Sequence, residues 1–196
     1  MPRAGLSEDR VVEEAELLAD EVGLSQLTLA ALALRLGVRQ PSLYKHIDSL
    51  GGLRRSISIR AKSELADVLG RAAVGRSGDD AIASLSTTYR AWGLAHPGRY
   101  EAAQWAPRAG DEEDEAASMA VVLVCIDVLA IYELQGDDVI DAIRALRSAL
   151  HGFVTLESTG GFGLPADVDR SFDRMVRGLA RGFGSWSHQV GGREVS

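Results

Sequence analysis

Residues 28–47, TLAALALRLGVRQPSLYKHI, decide the fold of this chain. Thr28 is suited to cap a first helix, and Gly37 is suited to end it, because glycine adopts the left-handed conformation of a C-terminal cap at little cost. Apolar residues follow the three- and four-residue spacing of helices on both sides of that glycine, at Leu29, Leu32, Leu36, Leu43 and Ile47. The stretch therefore predicts two short helices joined by a tight turn.

The second of these helices presents side chains that suit a DNA major groove. Arginine reads guanine and glutamine reads adenine through paired hydrogen bonds, while hydroxyl groups and a free helix N-terminus suit phosphate oxygens. A proline near the helix start costs little, because its missing N–H would have no partner there. The predicted DNA-contacting residues are Thr28, Arg39, Gln40, Pro41, Ser42, Tyr44, Lys45 and His46.

This stretch resembles the DNA-binding domain of the tetracycline-repressor (TetR) family. The matching features are the threonine that opens the second helix, the Leu36-Gly37-Val38 turn, and the segment Ser42-Leu43-Tyr44-Lys45-His46. The resemblance covers roughly residues 8–60. It implies a homodimeric transcriptional regulator that binds a double-stranded DNA operator and senses a small-molecule effector, with repression as the usual outcome.

Leu50 departs from the family pattern, which commonly has a phosphate-binding lysine at the corresponding position. The loss of one phosphate contact should weaken binding to all DNA sequences and flatten its salt dependence. Arg54, Arg55 or Lys45 could supply the missing charge. An alternative function is a ligand-binding or protein-interaction module whose DNA binding is weak or lost.

The charge of the chain is unevenly distributed. The formal net charge is −7, but residues 24–62 contain seven Lys and Arg and a single acid, Asp48, which gives that window a charge of +6. A cationic patch on an acidic body can bind phosphate locally. The same window could also be a solvated helix face.

The remainder of the chain predicts an all-α fold, with only five prolines and no sustained alternation of period two. We expect an N-terminal three-helix helix-turn-helix domain over residues 1–53. A C-terminal helical domain for effector binding and dimerisation is expected over residues 54–190. Short segments around Trp92 to Gly98 and Leu150 to Phe153 resemble a TetR subgroup named for a Trp-His-Gly pattern.

An effector pocket is expected in the C-terminal domain, because a ligand site needs a mostly apolar lining with a few convergent polar groups. Aromatic side chains recur there at helical spacing, and Arg147 and His151 share a helix face. Such stripes are more often ordinary core, and that alternative stays open. The predicted pocket residues are Tyr89, Trp92, His96, Trp105, Met119, Asp127, Tyr132, Arg147 and His151.

The last two helices predict a homodimer interface. Gly178 and Gly182 lie one turn apart within a helix, where each costs about 1 kcal/mol relative to alanine, and the close approach of another helix would explain them. The apolar stripes of these helices could instead face the core of their own chain. The predicted interface residues are Ile143, Leu146, Leu150, Phe172, Met175, Gly178, Leu179, Gly182 and Phe183.

No catalytic, metal or cofactor site is expected from the sequence. The four histidines are scattered, the single Cys125 lies in an apolar run, and no HExxH, GxSxG or phosphate-binding glycine loop occurs. The N-terminal residues lack the features of a secretory signal, and the apolar stretch 119–134 is short for a membrane span and contains Asp127. We therefore expect a cytoplasmic protein with no membrane partner.

Overall fold

The computed structural model describes residues 6–186, and every regular element within them is helical. Short 3₁₀ helices occupy Leu24–Gln26, Gln40–Lys45 and Ala130–Tyr132. The predicted all-α fold is confirmed. The α-helices are α1 (Glu8–Val22), α2 (Leu29–Leu36), α3 (Leu50–Ala73), α4 (Gly78–Ala95), α5 (Pro97–Ala103), α6 (Glu112–Leu129), α7 (Asp137–Ser158) and α8 (Val168–Trp186).

Capping residues fix the ends of α1 and α2. The Ser7 hydroxyl accepts a hydrogen bond from the N–H of Arg10 at 3.3 Å, and the Thr28 hydroxyl accepts one from the N–H of Ala31 at 3.2 Å. Gly37 ends α2 in the left-handed conformation, with φ of 66°. The predicted cap and turn residues therefore occupy the predicted positions.

The segment Gln40–Lys45, which contains most of the predicted DNA contacts and is here called the reading segment, is a 3₁₀ helix, whereas the sequence predicted an α-helix. The N–H of Ser42 donates to the Arg39 carbonyl, and the N–H of His46 donates to the Leu43 carbonyl, each at 2.8 Å. These bonds span three residues. A 3₁₀ helix is wound more tightly than an α-helix and occurs mainly in short segments. This segment has six residues, with a proline at the second position.

The chain divides into two compact units. Met1–Leu65 and Ala95–Ser118 form the first, and Ala66–Leu94 and Met119–Ser196 form the second. Helix α5 and the start of α6 therefore belong to the same unit as α1 and α2. The expected division, with a single boundary after residue 53, had placed them in the other domain. The functional division into residues 1–53 and 54–190 stays a prediction.

The first unit has one apolar core, to which α1, α2, the reading segment, α3 and α5 all contribute. Its most completely buried side chains include Leu24, Leu27, Leu32, Leu43, Leu53 and Ile57. Because the reading segment contributes Leu43 and α3 contributes Leu53 and Ile57, the reading segment is packed on the same core as the helix that follows it.

Helix α5 lies in backbone contact with α1. A Cβ atom on Gly98 would lie 2.2 Å from both the carbonyl carbon and oxygen of Ala19, so only glycine fits there. Asp20 accepts hydrogen bonds from the backbone N–H and Nε of Arg99, at 2.9 and 2.8 Å. The Ser58 hydroxyl of α3 donates to the Ala102 carbonyl at 2.9 Å. Helix α5 is thus fixed to both α1 and α3.

In the second unit, aromatic rings join α7 and α8. The ring centroids of Phe153 and Phe172 are 5.0 Å apart. The Arg90 guanidinium of α4 lies 4.9 Å from the Phe172 ring centroid and forms ion pairs with Glu157 at 2.5 Å and Asp169 at 2.7 Å. Arg90 therefore connects α4 to both of the last two helices.

Helix α6 is unusually apolar. The segment Glu112–Tyr132 spans 21 residues with a mean hydropathy of 2.0, which is long and apolar enough to cross a membrane by length and composition. This segment begins seven residues before the apolar stretch 119–134 that the sequence analysis considered too short to span. The helix is weak evidence for a membrane span, because core helices of globular proteins pass the same test.

Candidate nucleic-acid interface and effector region

The reading segment is buried on one side and exposed on the other. Leu43 has no exposed surface, and Ile47 is 8% exposed, so these two residues hold the segment against the core. Ser42 and His46 are half-buried. The exposed members of the predicted DNA-contacting set are Thr28, Arg39, Gln40, Pro41, Tyr44 and Lys45. The structure therefore leaves six of the eight predicted contacts exposed to solvent.

Thr28 has the geometry for a phosphate contact at the start of α2. Its hydroxyl oxygen already accepts the hydrogen bond from the N–H of Ala31 at 3.2 Å. A hydroxyl group carries one hydrogen of its own, so Thr28 can still donate to a phosphate oxygen. The cap and the DNA contact are therefore compatible.

Most of the cationic window is neutralised within the first unit. Arg39 and Lys45 are exposed and make no ion pair within residues 6–186. The cationic patch available to a phosphate is therefore smaller than the charge of +6 for the window implies. The internal ion pairs are Arg35 with Glu14 and Glu21, Arg55 with Asp111 and Glu113, Arg60 with Asp9, Glu13 and Glu16, and Lys62 with Asp114.

Arg55 fastens the start of α6 to α3. Its Nε and one terminal nitrogen each donate to Asp111 at 2.6 Å, and the terminal nitrogen lies 2.9 Å from Glu113. The hydrogen bonds from Arg55 lower the pKa of Asp111 to about 2. Asp111 therefore stays ionised at neutral pH, and Arg55 is not free to bind phosphate.

Arg54 positions the turn between α1 and α2. One of its terminal nitrogens donates to the carbonyl oxygens of Leu24 at 3.1 Å and of Ser25 and Leu27 at 3.3 Å. Leu50, where the family pattern has lysine, packs against the apolar core. Arg54 and Arg55 are therefore both held by contacts within the first unit, whereas Lys45 is exposed, and which of the three replaces the missing lysine stays a prediction.

The predicted effector residues are divided between the two units. His96 lies in the first unit, where Nδ1 is 2.6 Å from a terminal nitrogen of Arg99 and 3.4 Å from Asp20. Trp105 also lies in the first unit and is 41% exposed. The ion-pair network of α1 and α5 therefore accounts for His96, and the pocket role of both residues stays a prediction.

The other seven predicted pocket residues lie in the second unit, with different degrees of exposure. Tyr89 and Trp92 are each 6% exposed, as core residues would be. The Tyr132 hydroxyl donates to Asp79 at 2.8 Å. Met119, Asp127 and Arg147 are exposed, while Tyr132 and His151 are half-buried. Their grouping in one pocket stays a prediction.

Arg147 influences two titratable groups of the second unit. Burial lowers the pKa of His151, and the charge of Arg147 lowers that pKa further. Burial also raises the pKa of the Cys125 thiol to about 11, with Arg147 acting in the opposite direction. At neutral pH the imidazole and the thiol are therefore uncharged, and Arg147 is the positive charge beside them.

Four of the predicted interface residues are buried within a single chain. Leu146, Leu150, Phe172 and Phe183 are at most 2% exposed. They therefore present almost no surface to a second copy. Any direct contact would fall to the other five predicted residues, Ile143, Met175, Gly178, Leu179 and Gly182, which are half-buried or exposed.

A surface groove of about 200 Å³ lies between α4 and α8 in the second unit. None of the nine predicted pocket residues lines it. Sequence patterns could not indicate this groove, because it depends on which face of α4 packs beside α8. Its lining residues are Ala83, Thr87, Phe172, Asp173, Val176 and Arg177.

Within residues 6–186, no three His, Cys, Asp or Glu side chains are grouped closely enough to hold a metal ion.

Comparison with known proteins identifies the family. A family model described as a tetracyclin repressor-like C-terminal domain matches residues 82–179. The HTH-type transcriptional regulator Rv0681 of Mycobacterium tuberculosis is 42% identical over 180 residues, which cover 91% of this chain and 82% of the relative. The HTH-type transcriptional regulator YobS of Bacillus subtilis is 33% identical over 182 residues, which cover 92% of this chain and 94% of the relative.

Solved structures agree in fold. The crystal structure of the regulatory protein SCO4313 has a TM-score of 0.71 at 25% identity and covers 88% of this chain and 94% of its own. A TetR variant from Acinetobacter baumannii AYE, crystallised with minocycline, has a TM-score of 0.70 at 22% identity and covers 93% of this chain and 99% of its own. Together with the two relatives, these findings show that the chain belongs to the TetR family of helix-turn-helix transcriptional regulators.

Proposed function

We propose that two copies of this chain bind a palindromic operator as a repressor and that a small-molecule effector releases them. The observation that carries this proposal is the exposed polar face of the reading segment, whose opposite side is packed on the core through the fully buried Leu43. Two such segments related by a two-fold axis would read half-sites about one helical turn of DNA apart, roughly 34 Å or slightly more.

The polar groups of this face support direct reading of bases. Gln40 and Arg39 are exposed at the start of the reading segment, and both residue types make paired hydrogen bonds to base edges. Tyr44, 53% exposed, and Thr28 supply hydroxyl groups for phosphates. Base-reading groups and phosphate-binding groups on one exposed segment suit a major groove.

The second candidate is a ligand-binding or protein-interaction module with weak or lost DNA binding. It is favoured by Leu50, which packs on the core, and by the internal pairing of four of the window's cations. The two candidates differ in what Arg39 and Lys45 do. The repressor needs both side chains for binding, whereas the module does not.

Gln40→Ala and Lys45→Ala are expected to weaken operator binding in different ways. Loss of the Gln40 amide should cost about 1–3 kcal/mol on the selected operator and relax specificity at one base pair. Loss of the Lys45 ammonium should weaken binding to all sequences and reduce the salt slope by about 1. Operators selected from random DNA with the purified protein, followed by fluorescence anisotropy over a salt series, measure both effects.

Arg71→Ala is the matched control for Lys45→Ala, because Arg71 is an exposed cation of the second unit. It should leave operator affinity within about twofold, since it removes a charge that has no assigned phosphate contact. Selection that recovers no preferred sequence at physiological salt would exclude the repressor. Unchanged affinity in an Arg39→Ala/Lys45→Ala double variant would favour the module.

The effector is expected to carry a negative charge. Arg147 and His151 lie one turn apart on α7, and the lowered pKa of His151 leaves Arg147 as the local positive charge. Tyr89 and Trp92 supply apolar surface in the same unit. An organic anion with an aromatic or aliphatic body matches that combination of groups.

An Arg147→Gln variant is expected to keep operator binding and to lose release by organic anions. The test is a screen of aromatic and aliphatic carboxylates, together with their uncharged amides, against the operator complex of the wild-type protein. Active carboxylates should need at least about tenfold higher concentration with the variant, because a charged hydrogen bond contributes about 1.5–3 kcal/mol. Release by the amides alone, or equal release of both proteins, would contradict the assignment.

Release requires that the effector bind two conformations of the protein with different affinities. A ligand with equal affinity for both would leave the equilibrium between them unchanged. In this proposal the chain acts by binding DNA and effector, without catalysis. It does so in the cytoplasm and without a membrane partner. The resemblance to the Trp-His-Gly subgroup adds no further detail about the effector.

A further inference from the structure

The groove between α4 and α8 has an apolar floor and a volume of about 200 Å³. Pockets for drug-sized ligands usually measure about 300–1,000 Å³, so this groove suits a smaller molecule. Phe172 and Val176 of α8 line it and are only 2% and 4% exposed, and Ala83 of α4 lies in the same lining. A ligand of this groove must therefore be small and must present an apolar group to the floor.

The α8 side of the groove carries one charge of each sign. Asp173 and Arg177 are exposed, and both line the groove. They lie four residues apart, so they are neighbours on one side of the helix, with Cβ atoms about 5–6 Å apart. Neither forms an ion pair within residues 6–186. An exposed pair between the two would be weak, so a ligand can bind to both charges.

The α4 side of the groove carries a hydroxyl group. Thr87 is exposed, lines the groove and makes no side-chain hydrogen bond to any described residue from 6 to 186. A hydroxyl can donate one hydrogen bond and accept others. Ala83 lies one turn before Thr87, so the same side of α4 offers a small apolar side chain and a polar one. The groove therefore combines an apolar floor with a cation, an anion and a hydroxyl.

We propose that this groove binds a free amino acid with a branched aliphatic side chain. The carboxylate pairs with Arg177 and accepts a hydrogen bond from Thr87, the ammonium pairs with Asp173, and the side chain lies on Phe172 and Val176. The ammonium and the carboxylate of an α-amino acid are attached to one carbon atom. That separation matches two opposite charges one helical turn apart.

Charge complementarity selects the amino acid over singly charged molecules of the same shape. A carboxylic acid without an amine would bring its carboxylate beside Asp173 with nothing to offset the repulsion. An amine without a carboxylate would likewise place its ammonium beside Arg177. A zwitterion satisfies both side chains. Each exposed ion pair contributes little, so we expect a Kd no tighter than the micromolar to millimolar range.

The groove is separate from the other binding regions of the chain. Arg147, the expected effector contact, does not line it. Met175, a predicted interface residue, is two positions from both Asp173 and Arg177. Because each residue turns a helix by about 100°, Met175 lies on nearly the opposite side of α8. A dimer formed through Met175 would therefore leave the groove open to a ligand.

The first test is a ligand series on the full-length wild-type protein without DNA. L-leucine is compared with isocaproate, which lacks the ammonium, with isoamylamine, which lacks the carboxylate, and with glycine, which lacks the apolar side chain. Leucine should bind at least about tenfold more tightly than each of the three, because each one loses a group that the groove contacts. Isothermal titration calorimetry measures the affinities.

The second test uses variants of the groove. Arg177→Gln and Asp173→Asn should each weaken leucine binding at least about fivefold, and Ala83→Leu should abolish it by filling the groove. Arg174→Gln is the matched control, because Arg174 is an exposed arginine of α8 outside the groove lining. It should bind leucine within about twofold of the wild type. Leucine should also raise the Tm of the wild type and of this control, since it binds only the folded chain.

Three results would overturn the proposal. Absence of leucine binding at millimolar concentrations would mean that the groove is ordinary surface. Equal binding of leucine and isocaproate would mean that Asp173 does not contact an ammonium. Leucine affinity unchanged in all three groove variants would place the bound amino acid elsewhere on the protein. Because no DNA is present, a failure of operator binding or of anion-induced release would be a separate result.

Discussion

A Gly98→Ala variant is expected to have a free energy of unfolding at least about 3 kcal/mol lower than that of the wild type. This corresponds to a Tm lower by roughly 6–12 °C. The added methyl carbon would lie 2.2 Å from the backbone carbonyl of Ala19, and a helix backbone cannot move aside as a flexible side chain can. Helix α5 would have to separate from α1. Thermal unfolding followed by circular dichroism, at one fixed protein concentration, measures the change.

Gly152→Ala is the matched control for Gly98→Ala. Gly152 lies inside α7, and a Cβ there would meet nothing within 4 Å. That variant should be about 0.5–1 kcal/mol more stable than the wild type, because alanine favours the helix. The same chemical change is therefore expected to have opposite signs at the two positions. A Gly98→Ala protein as stable as the wild type would mean that α5 does not lie against α1 in this way.

The Gly98→Ala variant should also bind DNA less tightly. Asp20 and Arg99 form two of the hydrogen bonds between α1 and α5, and α1 shares its core with Leu43 of the reading segment. If α5 separates, those bonds are lost, and the support behind the reading segment loosens. The operator affinity of the variant, measured below its unfolding temperature, reports this second effect.

Short-range features of this fold could be predicted from the sequence. Thr28 as a cap and Gly37 as a left-handed turn follow from neighbouring residues. A cap needs only a hydroxyl and an N–H three residues later, and an amphipathic helix needs only periodic apolar residues. Such features do not depend on how distant segments meet.

Long-range features could not be predicted. The cationic window appeared to be a free surface because its partners lie far away in the chain: Arg55 binds Asp111, 56 residues later, and Lys62 binds Asp114, 52 residues later. The same limit applies to the boundary after residue 53, since α5 joins the first unit through contacts with α1 and α3, which are distant in sequence. Periodicity carries no information about such pairings.

The predicted binding surfaces differ in how well the sequence specified them. The reading segment is compact in sequence, so its exposed residues could be named together. The predicted dimer stripe followed the apolar period of α7 and α8, and that period marks the side of each helix that faces its own core, as Leu146 and Phe183 do.

The buried ion pair between Lys62 and Asp114 gives the last prediction. The two groups lie 2.5 Å apart, and their side chains are 3% and 8% exposed. Asp114 lies in the first turn of α6 and Lys62 on α3, so the pair fixes one helix to the other within the first unit. Lys62→Met or Asp114→Leu alone would leave the other charge buried without a partner and should cost about 3–5 kcal/mol.

The double variant Lys62→Met/Asp114→Leu should recover most of that loss. Both charges are then gone, and apolar side chains of similar volume fill their space, so no desolvated charge is left unpaired. Urea unfolding of the wild type, both single variants and the double variant gives the coupling energy of the pair. Arg35→Met with Glu21→Leu is the exposed counterpart, since these side chains are 28% and 57% exposed, and its coupling should be about 1 kcal/mol or less. Additive losses at Lys62 and Asp114 would mean that the two side chains do not pair, and that other contacts hold α6 on α3.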